Sequence, residues 1–337
     1  MSQTKPPNVL DPNDPLLAYW NKKVEDLASV ALPAISPETA ERHHIYSLLT
    51  MALVHGFWNG NKNGAVGEYP FRPSQLVDKN RYRGDQKGDR YLGHNIACIA
   101  VDEKGYVIDF EFNHNETFNS SAEHAEARLI RRVFSLNQIH NGWDVAAVAD
   151  KKAAKYGNTF SAVTIYTSLE SCAQCSGIMA LASVLRVVYL QSDPGQFLIG
   201  NMLYNLTGRA ARRYGAPEPL SADAFGFEHK QALDQAYAAY YKTLADDPEA
   251  YFFRQVGSSK KDSSKGITSF LCTDAALEIY ATAAEQLARF APNYGSYRPD
   301  KSDGKPDDVK SNADALSHAR QFLNHALREG NRATPHR

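Results

Sequence analysis

The sequence predicts an α/β fold with a mixed sheet, on three observations. A hairpin is legible between residues 96 and 112. A buried strand, a helix and a second strand follow one another with short joints between residues 163 and 190. Apolar positions at helical spacing precede and follow both. A strand–helix–strand unit with short connections pairs its strands in parallel. The sheet is therefore expected to begin as an antiparallel hairpin and to continue parallel.

In chain order, a first helix is expected from Asp14-Pro15 through Trp20, Val24 and Leu27, with Pro33 stopping it. Ser36-Pro37-Glu38 then supplies an N-cap, an N1 proline and a first-turn acid. In the helix that follows, Ile45, Leu48, Leu49, Ala52 and Leu53 recur at helical spacing, and glycines and asparagines from Gly60 to Gly67 end it. Residues 72–93 form a polar loop carrying Arg72, Lys79, Arg81, Tyr82, Arg83, Arg90 and Tyr91. Ile96 to Val101 is a continuous apolar run, and Asp102-Glu103-Lys104-Gly105 is a turn. Ile108, Phe110 and Phe112 alternate with Val107, Asp109 and Glu111, a period of two. Ser120 and Ser121 precede a helix, and Asn141 to Asn158 reads as an insertion, part helical. Val163 to Leu169 is a buried strand, Cys172 to Leu185 a helix and Val187 to Leu190 the next strand. A second αβ stretch, with Ala232, Ala236, Ala239 and Tyr240 at helical spacing, extends to about Leu244. A Ser/Lys-rich linker, Gly257 to Gly266, and two helices near 274–290 and 312–328 complete the chain.

With 337 residues, 43% of them hydrophobic, the chain can bury a large core. A formal net charge of -1 gives no global basic field, which favours a small substrate unless a local patch attracts a polyanion. No apolar run is long enough to span a bilayer, and the first residues lack a signal-peptide core, so a cytoplasmic protein without a membrane partner is expected. Four cysteines, two of them in one C-x-x-C, do not make a disulfide framework.

Two short motifs carry the chemistry. His124-Ala125-Glu126 opens one helix, and Cys172-Ala173-Gln174-Cys175 opens another after an intervening strand. Glu126 heads an apolar stripe made of Leu129, Ile130, Val133 and Phe134. A buried carboxylate without a partner is costly, so it needs a reason, although a first-turn acid is also a favourable partner of the helix dipole. His124 alone reads equally as a cap or surface residue. Cys172 and Cys175, at i and i+3, point the same way at a helix N-terminus that favours thiolate. Taken alone they could be a redox pair or packing residues. Taken jointly, one imidazole and two thiols can hold a zinc ion with its fourth position open, and the remaining acid is free to move protons.

These residues resemble the zinc-dependent nucleobase deaminases of the cytidine deaminase-like superfamily, whose signature pairs H-x-E with P-C-x-x-C. The branch that they resemble includes TadA-type tRNA adenosine deaminases, guanine deaminases and yeast-type cytosine deaminases. Ser168-Leu169-Glu170-Ser171-Cys172 is similar to that branch's T-L-E-P-C. Cys175-Ser176-Gly177-Ile178-Met179 through Arg186-Val187-Val188-Tyr189 is similar to its helix and next strand, and Asp193-Pro194 to the turn after it. The resemblance spans about residues 36–245. It leaves 1–35 and 246–337 as N- and C-terminal helical extensions, with 141–158 inserted.

The resemblance implies a three-layer α/β/α sandwich. It implies Zn²⁺ held by His124, Cys172 and Cys175, Glu126 as the proton carrier, and Asn113 and Ala125 at the substrate. The reaction implied is hydrolytic release of ammonia from an amino-nucleobase. A base within RNA is the preferred substrate, with Arg81, Arg83, Arg209, Arg212 and Arg213 as candidate nucleic-acid contacts. A free base, nucleoside or nucleotide is the rival. A homodimer is expected, as in relatives. Two departures stand out: Ser171 occupies the place of the family proline, and the connection from His124 to Cys172 is long. An inactive zinc-stabilised scaffold or regulatory subunit is the alternative that Ser171 favours. Cys98 and Cys272 read as packing residues, His43 and His44 as surface or core histidines, and His94 and His114 as loop residues flanking strands.

Overall fold

The computed structural model describes residues 22–32, 34–58, 93–115, 120–143, 160–207, 215–247, 265–300 and 308–329. The side chains of 136–143 lie outside that description, as do Arg81, Arg83, Arg209, Arg212, Arg213 and most of the expected insertion. The five strands are β1 (Ala97–Val101), β2 (Val107–Phe112), β3 (Thr164–Thr167), β4 (Arg186–Tyr189) and β5 (Glu218–Ser221). They form one sheet in the order β2-β1-β3-β4-β5. β1 is antiparallel to both β2 and β3, while β3, β4 and β5 run parallel. The hairpin turn closes at Gly105, whose left-handed φ of +88° favours glycine.

The helices are α1 (Val24–Ala28), α2 (Pro37–Gly56), α3 (Ala125–Trp143), α4 (Ala173–Leu181), α5 (Ile199–Thr207), α6 (Glu228–Asp246), α7 (Ile267–Phe270), α8 (Asp274–Arg289) and α9 (Asn312–Glu329). No described helix is long and apolar enough to cross a membrane. Ser36 caps α2 by accepting the Thr39 N–H, as the sequence predicts. The expected helix from Cys172 stops at Leu181, not Leu185. Ser183 takes a left-handed φ of 58° there and redirects the chain into β4.

The period of two along the strands separates the faces of the sheet. Tyr166 meets His43 of α2, with 2.9 Å between its hydroxyl and the imidazole Nδ1, so α2 covers that face. Thr167, the next residue, points to the opposite face and reaches Glu126 of α3. On β2 the same alternation sends Phe110 towards Phe322 of α9. Asp109 and Glu111 go to the other side, where Arg132 meets both, at 2.9 and 3.1 Å, and Arg128 meets Glu111. Both acids are buried, and burial without these guanidinium partners would be prohibitive. Helices thus lie on both faces, which makes three layers.

α2 is buried nearly all round because the sheet and helices α8 and α9 all pack against it. Its polar residues hold the α8–α9 connection. Glu41 accepts the Tyr294 N–H at 3.0 Å and the Asn312 amide at 3.1 Å, and Arg42 donates to the Lys310 carbonyl at 2.9 Å. The apolar residues of α8 and α9 join the same hydrophobic core as the sheet.

Candidate metal centre and active site

Three loops converge at the ends of β2, β3 and β4. Asn113 follows β2, and its Oδ1 accepts the Ala125 N–H at 2.8 Å. That bond ties the end of the strand to the first turn of α3. His114 donates its N–H to the Glu123 carbonyl at 2.9 Å and doubles the tie. His124 precedes α3, and its carbonyl accepts the Arg128 N–H. Cys172 is the N-cap of α4 and Cys175 lies in its first turn. The Gln174 amide donates to the Ala122 carbonyl at 2.9 Å, so the two helix starts are bonded together.

His124 Nδ1 stands 3.3 Å from Cys172 Sγ and 3.6 Å from Cys175 Sγ. All three donor atoms lie within 4.8 Å of one another. Metal–ligand bonds of roughly 2.0 and 2.3 Å at tetrahedral angles place nitrogen and sulfur about 3.5 Å apart, so the donor set fits zinc. The Cys172 thiol is brought down to about 4, first by the hydrogen bond from Cys175 and then by that from His124. Cys175 moves the opposite way because it donates that bond and is buried. The bond to Cys172 raises His124 above its usual range. These contacts favour the thiolate form of Cys172, the form that binds metal.

Glu126 is 4% exposed and stands outside the three-atom donor set. Its Oε1 accepts from the Ser171 hydroxyl at 2.9 Å and the Thr167 hydroxyl at 3.3 Å. Its Oε2 lies 3.3 Å from Cys175 Sγ. A first-turn acid serving only the helix dipole would not need this burial.

Residues 83–191 match the cytidine and deoxycytidylate deaminase zinc-binding region. Zinc is the cofactor of that region, and the three ligands lie inside it. The match covers about a third of the chain. No protein of curated function matches the chain. Two solved structures are similar to part of it. One comes from work on A-to-I editing by tRNA:A34 deaminases at the wobble position, with 20% identity over 38% of this chain and 82% of that one, at a TM-score of 0.24. The other is a guanine deaminase from Nitrosomonas europaea, with 19% identity over 40% of this chain and 71% of that one, at a TM-score of 0.26. Likeness at this level identifies neither substrate nor partner.

The structure brings together His124, Glu126, Cys172, Cys175, Asn113 and Ala125, all named from sequence. Asn113 and Ala125 are buried, 2% and 0% exposed. Cys98 and Cys272 are buried, and His43 is a core residue packed on Tyr166 and Phe225. Sequence reasoning missed four contributors. The Thr167 and Ser171 hydroxyls hold Glu126, and only the departure of Ser171 from proline hinted at a role. Glu170 accepts the Asp193 N–H at 3.0 Å, joining the turn after β4 to the loop before α4; burial pushes its carboxyl up to about 7. Gly93 packs on the backbone of Asn113, where a Cβ would stand 2.1 Å from the carbonyl oxygen.

Proposed function

We propose that this protein is a zinc-dependent hydrolytic deaminase of an amino-nucleobase. Its catalytic unit would span residues 36–245, with an insertion at 141–158 and helical extensions at 1–35 and 246–337. The observation that carries the reading is the buried Glu126 carboxylate beside three metal-binding atoms and separate from them. A structural zinc site needs no such acid, and the energetic cost of burying one makes an incidental placement a poor explanation.

Bound zinc supplies the Lewis acidity that makes water a nucleophile at neutral pH. Glu126 takes the proton that the attacking water loses and holds it on a carboxylate oxygen. It delivers that proton to the ring nitrogen beside the reacting carbon, then helps protonate the departing amine. The ring carbon becomes a carbonyl and the amine leaves as ammonia. His124, Cys172 and Cys175 hold the metal at the starts of α3 and α4. Asn113, fixed through Oδ1, presents its amide to the base edge, and the small Ala125 beside it leaves room for the ring.

The finer reading is a base carried in RNA, supported by the arginine-bearing segments around residues 81–83 and 209–213. The near-neutral net charge favours the rival, a free base, nucleoside or nucleotide. Ammonia release from adenine-, cytosine- and guanine-containing bases, nucleosides, nucleotides and RNA decides the class. RNA turnover with an affinity that falls steeply between about 50 and 200 mM salt supports the finer reading. Salt-indifferent turnover of a free base removes it. No release from any of these substrates removes the enzyme reading and leaves a zinc-stabilised scaffold.

A further inference from the structure

Glu126 is held by an arrangement that a proline before the first cysteine could not supply. Ser171 donates its hydroxyl to Glu126 Oε1 at 2.9 Å, and Thr167, at the end of β3, donates to the same oxygen at 3.3 Å. Both hydroxyls are buried, Thr167 at 0% and Ser171 at 5% exposure. Hydrogen bonds to a carboxylate are charge-assisted and stronger than neutral ones. Two of them converging on one oxygen fix the plane of the carboxylate as well as its position. The other oxygen, Oε2, is then directed to Cys175 and so to the metal-ligand side. Proline in place of Ser171 would fix the turn but offer no donor.

We propose that Ser171, together with Thr167, is a positioning residue that pins Oε1 of Glu126 and so reserves Oε2 for proton transfer. This rests on the deaminase reading above. Ser171 is then not a sign of lost activity. It replaces a rigid residue with one that grips the proton carrier directly, across a gap that the β3–α4 loop sets.

The test uses the full chain loaded with zinc. The probe is whichever of adenosine, cytidine, guanosine, their free bases or an RNA oligonucleotide the wild type turns over fastest. Zinc content and urea midpoint are recorded for each variant. Ser171→Ala is expected to lower kcat about tenfold, the scale of one lost hydrogen bond to a charged group, with KM within about twofold and zinc content unchanged. Ser171→Thr, which keeps the hydroxyl, restores most of kcat. Thr167→Val, nearly isosteric, reproduces the loss without touching the loop. A Ser171→Ala enzyme with wild-type kcat overturns the proposal, as does a loss that tracks missing zinc or that Ser171→Thr fails to rescue. If the wild type releases no ammonia from any probe, the functional reading and this proposal fall together. Wild-type turnover that is indifferent to Ser171→Ala and Thr167→Val sinks this proposal alone.

Discussion

Replacing Asn113 separates two roles assigned to one carboxamide. Its Oδ1 accepts the Ala125 N–H at 2.8 Å, in a site where Asn113 is 2% exposed. Its amide end is the proposed reader of the base. Asn113→Ala removes both and leaves a buried N–H without its acceptor, which costs about 1–3 kcal/mol. Asn113→Asp keeps an acceptor and loses the donor. A carboxylate at the start of α3 is favoured by the helix dipole, by up to about 2 kcal/mol in a partly buried setting, which offsets much of its desolvation. In urea titrations Asn113→Ala is therefore expected to lose about 1–3 kcal/mol, and Asn113→Asp less than half as much. In ammonia-release assays both should lose at least about 100-fold in kcat/KM, or about 2.7 kcal/mol of transition-state stabilisation. Asn113→Asp with wild-type kcat/KM would refute the base-reading role. Asn113→Ala with wild-type stability would refute the account of how β2 is tied to α3.

Further outcomes follow from other parts of the structure. Burial, then the nearby Arg186, holds His43 down to about 3, so its neutral form stabilises the fold above pH 6.5 and that contribution fades as pH falls towards 3. At pH 5 the loss relative to pH 7.5 is about 2 kcal/mol, from roughly 1.5 decades of protonation linkage. The urea stability of wild type should fall by that much more than that of His43→Asn, which keeps a polar partner for Tyr166 but cannot titrate. Gly93→Ala pushes a Cβ against the Asn113 carbonyl, and rigid backbone cannot yield as a side chain would. It should cost about 1–3 kcal/mol in urea and lower ammonia release through displacement of Asn113. Zinc at about 1,000 times its Kd adds about 4 kcal/mol to stability. A chelator should therefore lower the urea midpoint of wild type and leave that of Cys175→Ser, which lacks a ligand, nearly unchanged.

The zinc ligands were legible because metal chemistry restricts both residue type and spacing. Cys172 and Cys175 at i and i+3 must share a face, and the H-x-E motif sits where a second helix starts. The sheet order at its centre was legible because short joints between β3, α4 and β4 permit only a parallel pair. Period-two alternation in β2 was visible. The fate of Asp109 and Glu111 was not, because their partners Arg128 and Arg132 come from α3, after the chain has turned back over the sheet. In α2 the sequence shows Ile45, Leu48, Leu49, Ala52 and Leu53 at helical spacing. Burial of its remaining sides also required α8 and α9, more than two hundred residues away. The hydroxyls on Glu126 escaped notice for a similar reason. Thr167 and Ser171 are ordinary strand and loop residues until the fold places them on one carboxylate oxygen.

The central claim is that one buried acid, separate from the metal ligands, carries the proton for a hydrolytic deamination. The most direct measurement compares zinc content and ammonia release for wild type and Glu126→Ala, each as the full chain. The account predicts that both proteins bind zinc equally and unfold at similar urea concentrations, while ammonia release is lost in the variant alone. Persistent ammonia release by Glu126→Ala, or loss of its zinc, would contradict it.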